Sequence, residues 1–170
     1  SYLRTSNRGD ARHSWAILAL LVRFIRQYWP QTRIVFRGDS HFSKPRLLAW
    51  CDRNQVDYIV GMARNQRLEA LAAPAMDKVR TYYEAHGHKL ASTFRFRYKA
   101  RSWHKPRWVV ARLEYGPQGP NPRFVISSRY DDGFKLYYEQ YCARGDMENR
   151  IKDQQLDLFA GRTSSTHWWT

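Results

Sequence analysis

Cysteine, acidic residues and long apolar runs are all scarce in this sequence. Its two cysteines, Cys51 and Cys142, show neither the spacing of metal ligands nor that of a secreted disulfide framework. The longest apolar stretch, residues 15–22, falls far short of the roughly 20 residues that a membrane-spanning helix needs. No cleavable signal pattern precedes it. We therefore expect a soluble protein of a reducing compartment, the cytoplasm, without a membrane partner.

The shortage of acids leaves the chain strongly basic. It carries 29 Lys and Arg against 15 Asp and Glu, a formal net charge of +14. Such an excess is typical of a domain that faces a polyanion, so DNA or RNA is the first partner we expect. The 43% hydrophobic content is enough for a buried core. At 170 residues, one large domain or a domain with an inserted subdomain is expected.

Hydrophobic periodicity in the first half predicts a parallel crossover unit. The predicted elements are a helix over 11–28, a strand over 33–37, a helix over 44–54 that is capped by Ser43, and a strand over 57–61. Strand, helix and strand with short connections form a parallel unit, and ligands gather at the carboxyl ends of such strands. Asp39 directly follows the first strand, so we expect its carboxylate at that edge.

The second half changes in character. A helix is predicted over 66–85, although Pro74 weakens that prediction. Residues 91–128 contain β-rich runs that are separated by glycine and proline turns, which predicts an antiparallel meander. A last helix is predicted over 134–159, where spacings of three and four residues return.

Four side chains of the last predicted helix are spaced to share one face. Tyr141, Arg144, Glu148 and Lys152 are separated by three, four and four residues. A carboxylate between two cations suits a divalent metal beside phosphate oxygens. A solvated face with weak ion pairs would show the same spacing.

Asp39 and its neighbour also have simpler interpretations. The carboxylate that follows a strand often caps the next turn, and this alternative stands level with metal binding for Asp39. His41 is expected to be a surface histidine rather than a substrate contact. Asp52 is expected to be solvated or to cap a helix.

The predicted meander offers a second candidate surface. Its cations, Arg95, Arg97, Lys99, Arg101, Lys105, Arg107 and Arg112, alternate with Phe94, Phe96, Tyr98, Trp103 and Trp108. One strand face would then be apolar and the other cationic, which suits contact with a DNA backbone. An ordinary two-faced sheet with solubilising arginines is the alternative.

Three segments together resemble bacterial insertion-sequence transposases of the DDE class. They are residues 37–42 (RGDSHF), 50–61 (WCDRNQVDYIVG) and 141–152 (YCARGDMENRIK). The likeness is greatest to members with a Tyr-Arg-Glu-Lys signature and a β-strand insertion, and it covers nearly the whole chain. It implies an α/β fold: a ribonuclease-H-like core, with a mixed sheet flanked by helices, into which an antiparallel β meander is inserted.

The resemblance also implies a chemistry. In this class two Asp and one Glu hold two Mg²⁺ or Mn²⁺ ions for DNA strand cleavage and transfer. Asp39 would be the second Asp and Glu148 the Glu, both metal ligands, with Tyr141 and Arg144 as signature residues. The signature Lys falls where this chain has Gln155, and Lys152 is its candidate substitute. DNA or phosphate contacts are expected at Tyr141, Arg144, Lys152, Arg95, Arg97 and Arg112.

The first catalytic Asp of this class belongs on a strand upstream of residues 3–7, and Asp10 does not fit its motif. We therefore expect an incomplete core and a chain that is inactive alone. The expected divisions are 1–88 as the first part of the core, 89–133 as the insertion, 134–160 as the helix that carries the Glu, and 161–170 as a truncated tail.

Expected partners are double-stranded DNA, as transposon ends and target, and a second copy in a homodimer of the full-length protein. The expected location is the bacterial nucleoid. A non-catalytic basic DNA- or RNA-binding module is the alternative function. A metal-dependent nuclease on the same fold is a third, distinguished by whether a DNA 3′-hydroxyl serves as nucleophile.

Overall fold

The computed structural model describes residues 14–143 together with Arg150 and Asp153. Its helices are α1 (Ser14–Tyr28), α2 (Pro45–Arg53) and α3 (Gln66–His86), with a 3₁₀ turn over Ser40–Phe42 and a π-helix over Lys135–Tyr141. Its strands are β1 (Val35–Gly38), β2 (Asp57–Met62), β3 (Ser92–Tyr98), β4 (Arg107–Leu113), β5 (Tyr115–Gly116), β6 (Gly119–Pro120) and β7 (Arg123–Ser127). The predicted positions Arg144, Glu148 and Lys152 lie outside the described residues.

The first two helices lie where they were predicted, within one residue at each described end, and residues 11–13 of the first prediction lie outside the described residues. One cap differs. Helix α2 begins at Pro45, which has no N–H and suits the first turn. Its N-cap residue is Lys44, which makes no side-chain cap. The prediction that Ser43 caps this helix is wrong, because its hydroxyl donates to the Ser40 carbonyl at 2.7 Å instead.

Helix α3 has well-formed ends and an interior proline. The Asn65 side-chain oxygen accepts a hydrogen bond from the Leu68 N–H at 3.0 Å, which satisfies one open donor of the first turn. Gly87 ends the helix in the left-handed region at φ 70°. The helix continues through Pro74, so packing outweighs the local disruption by the proline.

Five strands form one mixed sheet in the order β1-β2-β7-β4-β3. Strands β1 and β2 are parallel, and Gly38 lies opposite Val60. Strand β7 is antiparallel to both of its neighbours, and β3 is antiparallel to β4. The short strands β5 and β6 form a separate hairpin in the connection from β4 to β7.

The two faces of the sheet are covered by different helices. One core cluster joins sheet residues such as Val60 and Val109 to buried residues of α1, α2 and α3, including Leu48 and Leu68. The opposite cluster consists of Ile59, Val110, Val125, Leu136 and Tyr137. The π-helix therefore packs on the face opposite the three α-helices.

This architecture is α/β, with a mixed sheet flanked by helices, and it is compatible with a ribonuclease-H-like fold. The strands predicted as a meander pair in antiparallel order, but they join the same sheet as β1 and β2. Their status as an insertion therefore stays a prediction. Among the helices that the structure describes, none has the length and apolar character needed to cross a bilayer.

Candidate functional site at the carboxyl edge of the parallel strands

Three strand ends converge at one edge of the sheet. Because β1 and β2 are parallel, the residues that follow them, Asp39 and Ala63–Arg64, lie at the same edge. Strand β7 runs the other way and begins there with Arg123, next to Phe124, which pairs with Met62. The fold thus brings Asp39, Arg64 and Arg123 to a common edge.

Asp39 is partly exposed and already makes one local contact. Its Oδ1 accepts a hydrogen bond from the His41 N–H at 2.9 Å, which caps the 3₁₀ turn. The capping alternative is therefore correct for this oxygen. The side chain is 41% exposed, and no hydrogen bond within the described residues occupies Oδ2. Capping leaves a carboxylate oxygen for a further ligand.

The His41 side chain lies beside Asp39. Its Nδ1 lies 3.4 Å from Asp39 Oδ1, and its side chain is 70% exposed. His41 is thus a surface residue, and a contact with substrate is not tested by this geometry.

Tyr141, the last residue of the π-helix, lies at the same edge of the sheet. A methyl group placed on Gly61 would stand 2.5 Å from the Tyr141 hydroxyl oxygen and 3.3 Å from the Asp39 carbonyl carbon. Only a residue without a side chain fits between them. A cavity of about 280 Å³ is lined by both Asp39 and Tyr141. Two residues that lie 102 positions apart, 39 and 141, thus border one cavity.

The π-helix that ends at Tyr141 is held by two arginines. Arg37 donates to the Gln140 carbonyl oxygen, and Arg129 donates to the Gln140 side-chain oxygen, each at 2.9 Å. Arg37 belongs to β1, so this contact ties the helix to the strand that precedes Asp39. The two bonds fix the position of Tyr141 against Gly61.

The geometry of this segment differs from the prediction. An α-helix was expected from residue 134, but Lys135–Tyr141 is a π-helix, and the Cys142 N–H bonds the Tyr137 carbonyl at 2.9 Å. A π segment inserts an extra residue per turn and often marks a functional site. The residues that lead up to Tyr141 therefore do not have α-helical spacing. The predicted alignment of Tyr141 with Arg144, Glu148 and Lys152 concerns the residues after it, which lie outside the described part.

The cavity wall has a low-polarity component. Burial raises the pKa of the Tyr137 phenol, which lines the cavity, and that of the Cys142 thiol, which follows Tyr141 along the chain. Both groups therefore stay neutral near pH 7. Their neutrality leaves Asp39, Arg64 and Arg123 as the charged residues that line this cavity.

The site fits a hard divalent ion only in part. A carboxylate oxygen such as Asp39 Oδ2 is a ligand that Mg²⁺ and Mn²⁺ favour. Within the described part of the chain, however, no three His, Cys, Asp or Glu residues cluster as a metal site. The described residues supply one carboxylate, and a second would have to come from beyond them.

The arginines predicted on β3 lie together with two aromatic rings. Arg97 lies opposite Trp108 on the neighbouring strand, 5.0 Å from the ring centre. Arg95 stacks on Tyr130 at 3.6 Å and donates to the Asp131 carbonyl. The predicted separation of an apolar face from a cationic face is confirmed for Phe94 and Phe96, which pack on the core. It is wrong for Trp108, which lies on the cationic face.

Arg112, the third arginine proposed on this sheet, is held by protein groups. Its guanidinium pairs with Glu114 and donates to the Tyr138 hydroxyl at 3.1 Å. Its contact with DNA stays a prediction, as do the contacts of Arg95 and Arg97.

Arg107 and Asp52 form a buried pair rather than a surface feature. The Arg107 Nη2 lies 2.6 Å from Asp52 Oδ2, and their side chains are 2% and 9% exposed. Arg107 also donates to the Tyr58 hydroxyl at 2.8 Å. The expectation that Asp52 is solvated or a cap is wrong, because it joins α2 to the sheet.

Two cavity residues were not identified from the sequence. Arg64 and Arg123 line the cavity together with Asp39. Arg64 follows the second predicted strand, just as Asp39 follows the first, and that parallel was a usable signal. Arg123 gives no such signal, because its placement depends on β7 lying beside β2.

Comparison with known proteins gives one match. A family model described as transposase DDE domain group 1 matches residues 1–170. No curated protein and no solved structure gives a significant match.

Proposed function

The chain belongs to the DDE transposase domain family, and from this premise we propose that it takes part in metal-dependent DNA strand cleavage and transfer during transposition. The family is one of polynucleotidyl transferases that use divalent metal ions and act on DNA. The observation that carries the proposal is the cavity that Asp39 and Tyr141 share. A free carboxylate oxygen, two arginines and a tyrosine there suit a phosphodiester beside a cation.

We assign Asp39 and Glu148 as the carboxylates that would hold Mg²⁺ or Mn²⁺. When bound, such ions stabilise negative charge on the entering and leaving oxygens of a phosphodiester. Tyr141 borders the cavity and would position the DNA strand, while Arg144 and Lys152 would contact its phosphates. Arg95, Arg97 and Arg112 are proposed as more distant backbone contacts.

The proposed partners are double-stranded DNA, as transposon ends and target, and a second copy in the full-length protein. In the proposed organisation, residues 1–88 and 134–160 contribute to the catalytic core, and 89–133 are inserted in it. A bacterial insertion-sequence origin and a nucleoid location belong to the same proposal.

We also propose that this chain cleaves DNA poorly on its own. The resemblance assigns two acidic ligands to this chain, Asp39 and Glu148, and two carboxylates hold a two-ion site less firmly than three. Nicking of supercoiled DNA in Mg²⁺ or Mn²⁺ tests this. Clear nicking by the unmodified chain that Asp39→Ala abolishes would contradict the impairment, though not the family chemistry.

A Mn²⁺ titration followed by electron paramagnetic resonance tests the metal assignment without requiring cleavage. Asp39→Asn and Glu148→Gln should each weaken Mn²⁺ binding by more than about tenfold, because each removes a charged oxygen ligand. The matched control is Glu84→Gln, which removes an exposed acid near the end of α3. It should bind Mn²⁺ as the unmodified chain does.

One observation favours a second candidate, a non-catalytic basic nucleic-acid-binding module. Asp39 has a structural use, since its Oδ1 caps the 3₁₀ turn. In this alternative, Glu148→Gln leaves Mn²⁺ binding unchanged while DNA binding persists. The same titration therefore separates the two functions.

A further inference from the structure

Arg64 and Arg123 border two adjoining cavities. The first, of about 280 Å³, contains Asp39 and Tyr141. The second, of about 610 Å³, extends along the β5-β6 hairpin. Both arginines line both cavities, so they lie at the boundary between the two. A chain-like ligand that passed from Asp39 to the hairpin would have to pass them.

Within the described residues, neither of these two arginines pairs with an acid. Arg64 donates to the Asn121 side-chain oxygen at 2.7 Å, a neutral partner that holds the guanidinium toward the hairpin. The Arg123 side chain is exposed at the start of β7, and it makes no hydrogen bond or ion pair with another described side chain. Burial raises the pKa of the nearby Tyr137 phenol, and the charge of Arg123 acts in the opposite direction and lowers it. Both guanidinium groups are therefore open to an anionic ligand.

Several other arginines in the described part of the chain do pair with acids. Arg33 pairs with Asp57, Arg80 with Asp77, and Arg129 with Asp131. Glu114, the acid in the second cavity, is shared by Lys89 and Arg112. Lys89 lowers the pKa of Glu114 by hydrogen bonding, so this carboxylate stays ionised and engaged at pH 7. It does not neutralise Arg64 or Arg123.

We propose that Arg64 and Arg123 bind neighbouring phosphates of one DNA strand that runs from the Asp39 cavity along the β5-β6 hairpin. A planar guanidinium presents paired donors that match phosphate oxygens. Two cavities that share both arginines offer room on either side of them, which suits a strand better than a single small anion. The direction of the strand rests on the proposed function, because it places the reacting phosphate beside Asp39.

The test is the salt dependence of DNA binding, measured by fluorescence anisotropy on a duplex in EDTA. Arg64→Ala and Arg123→Ala should each reduce the slope of log K against log[NaCl] by about 0.9, the value of one lost phosphate contact. The double variant should reduce it by about twice that amount. Arg123→Lys should largely keep the slope, because it keeps the charge.

Arg53→Ala is the matched control. Arg53 is an exposed arginine at the end of α2, close before the start of β2, and so at the opposite end of the parallel strands from Asp39. The Arg53→Ala substitution changes the net charge by the same amount as Arg64→Ala or Arg123→Ala. Thermal midpoints of all variants should match that of the unmodified chain, since both tested arginines are exposed.

Two outcomes overturn the proposal. In the first, the slopes of log K against log[NaCl] for Arg64→Ala and Arg123→Ala equal the slope for Arg53→Ala. The other is a loss confined to an RNA duplex of the same sequence, with DNA binding unchanged. Failure of the metal assignment is seen separately, because Asp39→Asn should keep DNA binding in EDTA whether or not Mn²⁺ binding is lost.

Discussion

Arg107 shows how a charged residue becomes structural. Its guanidinium is buried, where it pairs with Asp52 and donates to the Tyr58 hydroxyl. Burial also raises the pKa of Tyr58, so the phenol stays neutral. Nothing in the alternation of arginines on this strand distinguishes Arg107 from its exposed neighbours, because its acidic partner lies 55 residues away on α2.

Removal of Arg107 should therefore destabilise the fold strongly. Arg107→Ala leaves Asp52 buried without its closest cation, and we expect the free energy of unfolding in urea to fall by about 3–5 kcal/mol. Arg101→Ala, at an exposed position in the β3-β4 connection, is the control and should change it by less than about 0.5 kcal/mol. A loss as small as the control's would contradict the buried ion pair.

Gly61 tests how closely Tyr141 and the Asp39–Ser40 backbone pack around it. Gly61→Ala places a methyl group 2.5 Å from the Tyr141 hydroxyl oxygen and 3.1 Å from the Ser40 nitrogen. One of these groups must move, so we expect a loss of about 1–3 kcal/mol in unfolding free energy. Weaker Mn²⁺ binding should accompany it, because Asp39 adjoins Ser40.

A double-mutant cycle with Tyr141→Phe adds a second test of the packing around Gly61. Tyr141→Phe removes the hydroxyl that the new methyl group meets, so it should cost less in the Gly61→Ala background than in the unmodified chain. Equal costs in both backgrounds, from urea unfolding, would show that the hydroxyl does not lie against Gly61.

At the scale of elements, helix and strand extents follow from local patterns. The crossover unit over β1, α2 and β2 was predictable because apolar spacing, a glycine after the first strand and short connections agree with one another. The π-helix and the lack of a Ser43 cap on α2 were not predictable, because each is decided by a contact made in the fold. Ser43 bonds Ser40, and Gln140 is held by Arg37 and Arg129.

Helix α3 carries a local conflict with its sequence. Pro74 lies inside it, exposed, and lacks the N–H that would bond the carbonyl four residues earlier. Pro74→Ala restores that bond and should stabilise the chain by roughly 2 kcal/mol, after the greater freedom of the unfolded chain is allowed for.

Urea unfolding measures the effect of Pro74→Ala. The control is Ala73→Ser, a mild change at the neighbouring exposed position of the same helix. A loss of stability in Pro74→Ala would contradict the continuous helix, because it would mean that the proline belongs to a break or turn there.

At the scale of the whole molecule, the basic charge predicted a polyanionic partner, and the family match agrees with DNA as that substrate. The sheet order could not be predicted, since β7 enters between β2 and β4 through contacts between residues far apart in sequence. That order alone brings Arg123 beside Asp39. Asp39 and Tyr141 were proposed from the sequence and line one cavity, Arg64 carried a usable signal, and Arg123 carried none.

The central claim is that Asp39 and Glu148 hold the same divalent ion. Its most direct test is iron-mediated cleavage of the polypeptide. Fe²⁺ replaces Mg²⁺, ascorbate and peroxide generate radicals at the bound ion, and mass spectrometry locates the backbone cuts. The account predicts cuts near both residue 39 and residue 148 that excess Mg²⁺ suppresses and that either Asp39→Asn or Glu148→Gln removes together. Cuts near only one of these positions, or cuts that survive both substitutions, would contradict it.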